Sequence, residues 1–221
     1  EKQEALFRLV SSLTGYKNSL KGVGYFLGAA LLEVSYFAAI HFNVALVALA
    51  LPFAALGLSE DLGRVAKENI KLEAVFRQKP NINWLSFARF FLFGSRDLWF
   101  EVPLPFYLRS AEGLNWPRTA VGAALAGYII VYGQCQSHSP RLVLTPLLQS
   151  PPNKHVCVLW NAILTIIPLF LGVGVFAAGT DDDLSRGEAT RAKAAVVVAG
   201  LVAFALVFAV NSAVHSYLVV K

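Results

Sequence analysis

Residues 84–108 read WLSFARFFLFGSRDLWFEVPLPFYL. The stretch is long and apolar enough to read as a membrane-crossing helix, yet it holds Arg89, Arg96, Asp97 and Glu101. A charged side chain at the centre of a bilayer costs roughly 2.5–3.5 kcal/mol on insertion scales, so such groups face a protein interior or a water-filled path. The stretch therefore predicts an all-α polytopic membrane bundle with a polar seam, the physical outline of a transporter. Arg89 and Arg96 are seven residues apart and share one helix face, while Asp97 and Glu101 are four apart and share a neighbouring one. Such an arrangement can bind an anion, couple to protons, or neutralise itself as a structural ion pair between helices. Asp97 follows Arg96 directly, so their side chains are expected to diverge and to pair with another helix. Gly94 and Ser95 thin the helix, and Pro103 and Pro105 are expected to kink or end it.

Composition points the same way. The chain has 221 residues, 56% of them hydrophobic and only 15% charged, well below the roughly 25% charge of soluble domains. Six apolar runs, at about 20–39, 42–58, 84–108, 117–136, 156–178 and 194–220, are each long enough to cross about 30 Å of hydrocarbon. Residues 1–19 form an amphipathic segment ahead of them, with Leu6, Leu9, Val10 and Leu13 at helical spacing. A short turn at His41 is expected to fold 20–58 into an antiparallel helix pair. Residues 59–83 read as a polar loop with a solvated amphipathic helix, in which Glu60, Arg64, Lys67, Glu68 and Lys71 set opposite charges at i,i+4. The remaining segment, 84–221, supplies four membrane helices, with Asp181, Asp182 and Asp183 in a soluble turn. Pro117 is placed for a first helical turn.

The net charge of +5 does not indicate nucleic acid, because the basic residues sort by membrane side. About 12 fall on the side of the N-terminus and about five on the other. That asymmetry predicts a multi-pass protein with both termini on the cytoplasmic or stromal side, in a bacterial inner membrane or an organellar membrane such as that of a plastid. The chain opens at Glu1 and contains no methionine, as expected of a processed, trimmed or partial chain, and residues 1–19 lack the apolar core of a signal peptide.

Other polar residues lie inside the apolar runs. Asn211 and His215 are four apart in the sixth run, with Ser212 and Ser216 on an adjoining strip. They can read a polar substrate or carry protons, or serve as interhelical hydrogen-bond glue. Glu33 is a membrane carboxylate on a helix that carries Gly24 and Gly28, a small-xxx-small pair that signals close packing. It can act as a proton site, a partner for Arg89 or Arg96, a group exposed to water, or a contact to a neighbouring subunit, and Glu101 shares the proton and inter-subunit readings. No metal, cofactor or catalytic site is expected. Cys135 and Cys157, with His138 and His155 nearby, match no zinc spacing and read as small apolar residues. The aspartate triplet lacks the other calcium-loop positions, and no nucleophile has a plausible base, so no enzyme is expected.

Three stretches carry a resemblance. Residues 13–28 (LTGYKNSLKGVGYFLG), 91–100 with 104–108 (FLFGSRDLWF and LPFYL), and 208–218 (FAVNSAVHSYL) resemble the organoarsenical efflux permease branch of the major facilitator superfamily, in matching order over nearly the whole chain. The resemblance implies a twelve-helix fold of two halves with a central polar path and alternating access, and export of a small anionic arsenic-bearing sugar phosphate. The six runs here look like the fifth to tenth of the twelve. Lys17, Asn18, Lys21, Arg96, Asp97, Asn211 and His215 match motif positions. Lys17, Lys21 and Arg96 would attract the anion while Asp97 orients an arginine. Glu33 and Glu101 stand where the pattern is apolar. The other expectation is a structural or accessory subunit of a large membrane complex, such as a plastid photosystem, with neighbouring subunits as partners.

Overall fold

The structure is a computed structural model that describes residues 2–58, 79–141, 149, 151–180 and 185–220. Every regular element among them is a helix. In chain order these are α1 (Lys2–Val34), α2 (Tyr36–Gly57), α3 (Pro80–Phe100), α4 (Pro103–Arg109), α5 (Arg118–His138), α6 (Lys154–Thr180) and α7 (Arg186–Val220), with a single 3-10 turn at Ser139–Arg141. The polar helix expected around residues 60–71 and the turn at 181–183 lie outside the described residues.

Among the described residues three helices are long and apolar enough to cross a membrane: α2, α6 and α7. Of the six expected spans, the other three are helical but fall short of that apolarity. In α1 the interruption comes from Lys17, Lys21 and Glu33, and in α3 from Arg89, Arg96 and Asp97. In α5 it comes from glycine, tyrosine and glutamine standing among the aliphatic residues.

The N-terminal amphipathic segment is not separate from the first span; both belong to one continuous helix, α1. It is pinned at its start by an Arg8–Glu4 pair at 2.6 Å, one turn apart. It ends at Ser35 and not at His41. The Ser35 backbone is extended (φ −169°), and its hydroxyl accepts a 2.9 Å hydrogen bond from the Ala38 amide. One residue thus stops α1 and caps α2, satisfying a donor that the new helix would otherwise leave bare. The turn expected at His41 is simply helix interior, where the imidazole Nδ1 lies 2.8 Å from the Phe37 carbonyl one turn back. Nor is 20–58 a packed pair: α2 buries no residue at all.

The partner of α1 is α5. Small residues set their approach. A side chain added at Gly15 would collide with the Gly133 and Ser137 backbone, one at Gly133 with Ser19, one at Gly22 with Ala126 and Ile130, and one at Gly122 with Ala29. Read along α1 the contacts run 15, 22, 29, and along α5 they run 133, 126, 122, so the two helices are antiparallel. The seven-residue step is the spacing of helices crossing at a shallow angle. The pair Gly24 and Gly28, expected to make such a contact, faces open space instead. The consequence is functional, because both glycines border the cavity described below.

The second half of the fold is the pair α6 and α7, and α7 is the central helix. Phe208, Ala209, Ala213, Val214 and Tyr217 on it are fully buried. Its rings meet those of α3 and α5, with Phe93–Phe208 at 5.7 Å and Tyr132–Phe208 at 5.5 Å. The third expected span, 84–108, is broken in two. α3 ends at Phe100 and α4 begins at Pro103, where the ring removes a backbone donor. From α4 the chain turns back through Asn115, which takes a left-handed conformation (φ 52°). The Leu114 amide donates to the Tyr107 carbonyl and the Trp116 amide to the Leu108 carbonyl. This tight return brings Arg109 and Arg118 to the same end of the fold.

Candidate functional site

A cavity of about 730 Å³ opens between α1, α3, α4 and α5. Its α1 wall runs from Asn18 to Leu32, a rise of roughly 21 Å at 1.5 Å per residue. Four cations border it, Lys21 from α1, Arg96 from α3, Arg109 from α4 and Arg118 at the start of α5, against one carboxylate, Glu101. Apolar surface from Phe100, Leu125 and Ile129 makes up much of the rest, with Tyr25 and Tyr132 adding aromatic faces. A concave, mostly apolar space with a few convergent charges is the general form of a small-molecule site. Cations in a low-dielectric cleft concentrate anions there.

Arg96 is held from two sides. Its guanidinium stacks over the rings of Phe93 (5.8 Å) and Phe208 (5.2 Å), and its Nε donates to Asp97 Oδ1 at 2.7 Å. The expected divergence of Arg96 and Asp97 does not occur, because the long arginine stem folds around the helix to its neighbour and forms an ion pair with it. Arg89, one face-repeat earlier, lies 4.9 Å from the centroid of the same Phe93 ring. The shared face read from the spacing of 89 and 96 is thus organised by the ring between them. Such contacts contribute roughly 0.5–2 kcal/mol each, more as water is excluded.

At its α1 end the cavity has a polar floor. Asn18 Nδ2 donates to Gln136 Oε1 (2.6 Å), Gln136 Nε2 donates to Ser212 Oγ (3.0 Å), and the Tyr132 hydroxyl donates to the same Ser212 oxygen (3.0 Å). Asn18 and Tyr132 also border the cavity. Gln136 and Ser212 are buried. This chain of bonds ties α1, α5 and α7 at one level. A second polar cluster joins α6 to α7. Asn211 Nδ2 donates to Asn161 Oδ1 (2.9 Å), and His215 Nε2 lies 3.2 Å from Cys157 Sγ and 3.3 Å from Asn161 Nδ2. Arg89 Nη1, Asn211 Oδ1 and His215 Nδ1 are buried and make no hydrogen bond among the described residues.

The residues singled out from the sequence therefore divide. Asn18, Lys21 and Arg96 meet at the cavity, Glu101 borders it, and Asp97 supports Arg96. Asn211 and His215 belong to the α6–α7 cluster and Arg89 stacks on Phe93, and none of the three borders the cavity. Lys17 is exposed and does not border the cavity, although it is one residue from Asn18. Glu33 is exposed near the end of α1 and forms no ion pair with Arg89 or Arg96. Glu101 accepts a 3.3 Å hydrogen bond from the Tyr25 hydroxyl. Cys157 is not merely a small apolar residue: it neighbours His215 rather than His155.

Sequence reasoning missed Arg109, Arg118, Tyr25, Tyr132, Gln136 and Asn161. The two arginines flank the loop after the third apolar run, which the charge count puts on the membrane side opposite Lys21. Only the return through Asn115 and a cavity four helical turns long reveal that one space reaches both. Gln136 and Asn161 carried a readable signal, an uncharged amide within an apolar run. Among the described residues no group of three or more potential metal ligands occurs. Comparison of the chain with protein-family models, with curated proteins and with solved structures found no match.

Proposed function

We propose that the chain works in a multi-pass membrane carrier for small organic anions, related to the organoarsenical efflux branch of the major facilitator superfamily. The cavity carries this reading: four cations and one carboxylate border a space large enough for a small organic molecule. Lys21, Arg96, Arg109 and Arg118 are the anion-binding groups. Asp97 and Phe208 position Arg96. The Asn18–Gln136–Ser212 floor bounds one end of the path, and Asn211 and His215 form a second polar cluster with Asn161 between α6 and α7. No catalytic role is needed, and a bound metal is not part of the scheme.

The test is flux. Full-length protein in liposomes is loaded with a panel of labelled anions: inorganic phosphate, glycerol 3-phosphate and 3-phosphoglycerate. Counterflow of at least one anion is expected, with a loss of tenfold or more in Arg96→Ala, since removing a charge-assisted contact costs about 1.5–3 kcal/mol. Absence of flux for every anion, together with equal behaviour of the variant, rejects the carrier.

One observation favours a second reading, a structural subunit of a larger membrane assembly. α2 presents an apolar surface on all sides and buries nothing. On that reading the gently solubilised protein migrates with neighbouring subunits at high mass; migration as a small free particle rejects it.

A further inference from the structure

The charges around the cavity are sorted along its length. Arg96 lies over the Phe208 ring at 5.2 Å and Tyr132 meets the same ring at 5.5 Å, so the two stand at one level. Lys21 belongs within about a turn of it, because Gly22, next in the chain, packs against Ala126 and Ile130 of the antiparallel α5. Arg118 opens α5, a rise of roughly 21 Å from Tyr132. Arg109 is held at that same far end by the bond from the Trp116 amide to the Leu108 carbonyl. Two cations thus stand at each end. Lys21, Arg109 and Arg118 form no ion pair among the described residues. The wall between the ends is largely apolar, with Phe100 against Tyr128 at 4.6 Å and Val121 and Leu125 beyond them. Glu101, the one carboxylate bordering the cavity among the described residues, is bonded to Tyr25 at 3.3 Å. Tyr25 falls between the Gly22–Ala126 and Gly122–Ala29 contacts, so this carboxylate marks the middle.

We propose that the cavity is built for elongated, two-headed anions: long-chain dicarboxylates with one end at Lys21 and Arg96, the other at Arg109 and Arg118, and the apolar chain laid along Phe100, Val121 and Leu125. A compact anion reaches only one of the two cationic ends. Glu101 repels negative charge from the middle, so charged heads are driven apart and the spacer between them is uncharged. The apolar wall favours a hydrocarbon spacer, whose burial removes its surface from water. Each guanidinium offers a planar fork that matches a carboxylate. Once one head is seated, the second is held close to its own partners by the chain, so the two ends reinforce each other without a new contact elsewhere. The long basic side chains span part of the distance between the ends, and an extended chain the length of dodecanedioate bridges the remainder. The inference rests on the reading of the cavity as an anion site and narrows it to one shape of anion.

The experiment uses the full-length protein in an uncharged detergent, with binding followed by calorimetry. The probes are succinate, dodecanedioate, monomethyl dodecanedioate and 3-phosphoglycerate. Dodecanedioate is expected to bind roughly tenfold or more tightly than succinate, which is too short, and than its half-ester, which keeps the length and lacks one charge; that factor is the worth of one charge-assisted contact. The double variant Arg109→Gln with Arg118→Gln removes the far end. Both residues are exposed, so their loss leaves the packing intact. It is expected to erase the lead of dodecanedioate over the half-ester. No binding of dodecanedioate, equal affinity for it and its half-ester, or a lead that survives in the double variant overturns the two-headed ligand. Binding of 3-phosphoglycerate that is lost in Arg96→Ala then leaves the anion site standing, whereas failure of every probe rejects the anion site and the two-headed ligand together.

Discussion

At the scale of single residues, glycine decides more of this fold than any charge does. Lipid is as apolar as leucine, so two helices in a membrane gain little from covering aliphatic surface; close contact and hydrogen bonding must hold them instead. Gly15 sits where any Cβ would press on the backbone of Gly133 and Ser137, neither of which can move aside cheaply. Gly15→Ala is expected to force α1 and α5 apart and to cost about 1–3 kcal/mol, the usual range for overpacking. Gly28→Ala meets nothing and removes a helix-weakening residue, so stability should be unchanged or rise by up to about 1 kcal/mol. Thermal unfolding of the two variants in the same detergent makes the comparison, and equal destabilisation would show that the α1–α5 seam is not where the contacts place it. The sequence could not distinguish the two positions. A small-xxx-small pattern says that a close approach is possible and leaves open which face takes it. The answer lay with Gly122, Ala126 and Gly133 on a helix about a hundred residues away, whose matching steps carry no local signature.

Among the elements, what could be read in advance was what the local chain chooses by itself. The helical character of nearly every apolar run, the break ahead of Pro103 and the start of a helix beside Pro117 all follow from proline and periodicity. What could not be read was where polar groups choose between local and distant partners. Ser35 illustrates this. Serine inside an apolar run reads as neutral, and His41 looked the better stop. Yet serine is among the strongest N-caps while histidine has no such advantage, and the hydroxyl of Ser35 captures the Ala38 amide. Ser35→Ala should therefore cost about 1 kcal/mol through the lost cap and leave the Ala38 amide without its acceptor. Increased protection of the Ala38 amide in hydrogen exchange would argue against this; faster exchange at 36–38, with α5 unaffected, is the expected result. The pairing of Arg96 with Asp97 has the same cause in reverse. Adjacent side chains leave a helix in diverging directions, but an arginine stem is long enough to fold back to its neighbour.

Across the whole molecule, two helix pairs are joined at one polar level. α1 with α5 forms one pair, α6 with α7 the other, and Gln136 stands between them. It accepts from Asn18 within the first pair and donates to Ser212 of the second. The three long apolar helices predict that the protein stays with the membrane through alkaline carbonate washing, and release into the supernatant would contradict that. The floor itself makes a sharper prediction. In Gln136→Leu, Asn18 regains water from the cavity it borders, and Ser212 keeps the hydroxyl of Tyr132. The single substitution should therefore cost only about 0.6–1.7 kcal/mol, the range of interhelical bonds in membranes. Ser212→Ala strands both Tyr132 and Gln136 and should cost more, about 1–3 kcal/mol. The two residues share one bond, so the double variant should be less unstable than the sum of the singles by about 0.5–1 kcal/mol. Gln136→Leu combined with Glu101→Gln, which share no bond, should simply add. Unfolding of the four variants in detergent decides the matter: strict additivity of Gln136 with Ser212 would mean that the floor is two unrelated contacts and that nothing at this level joins the halves across which an anion would have to pass.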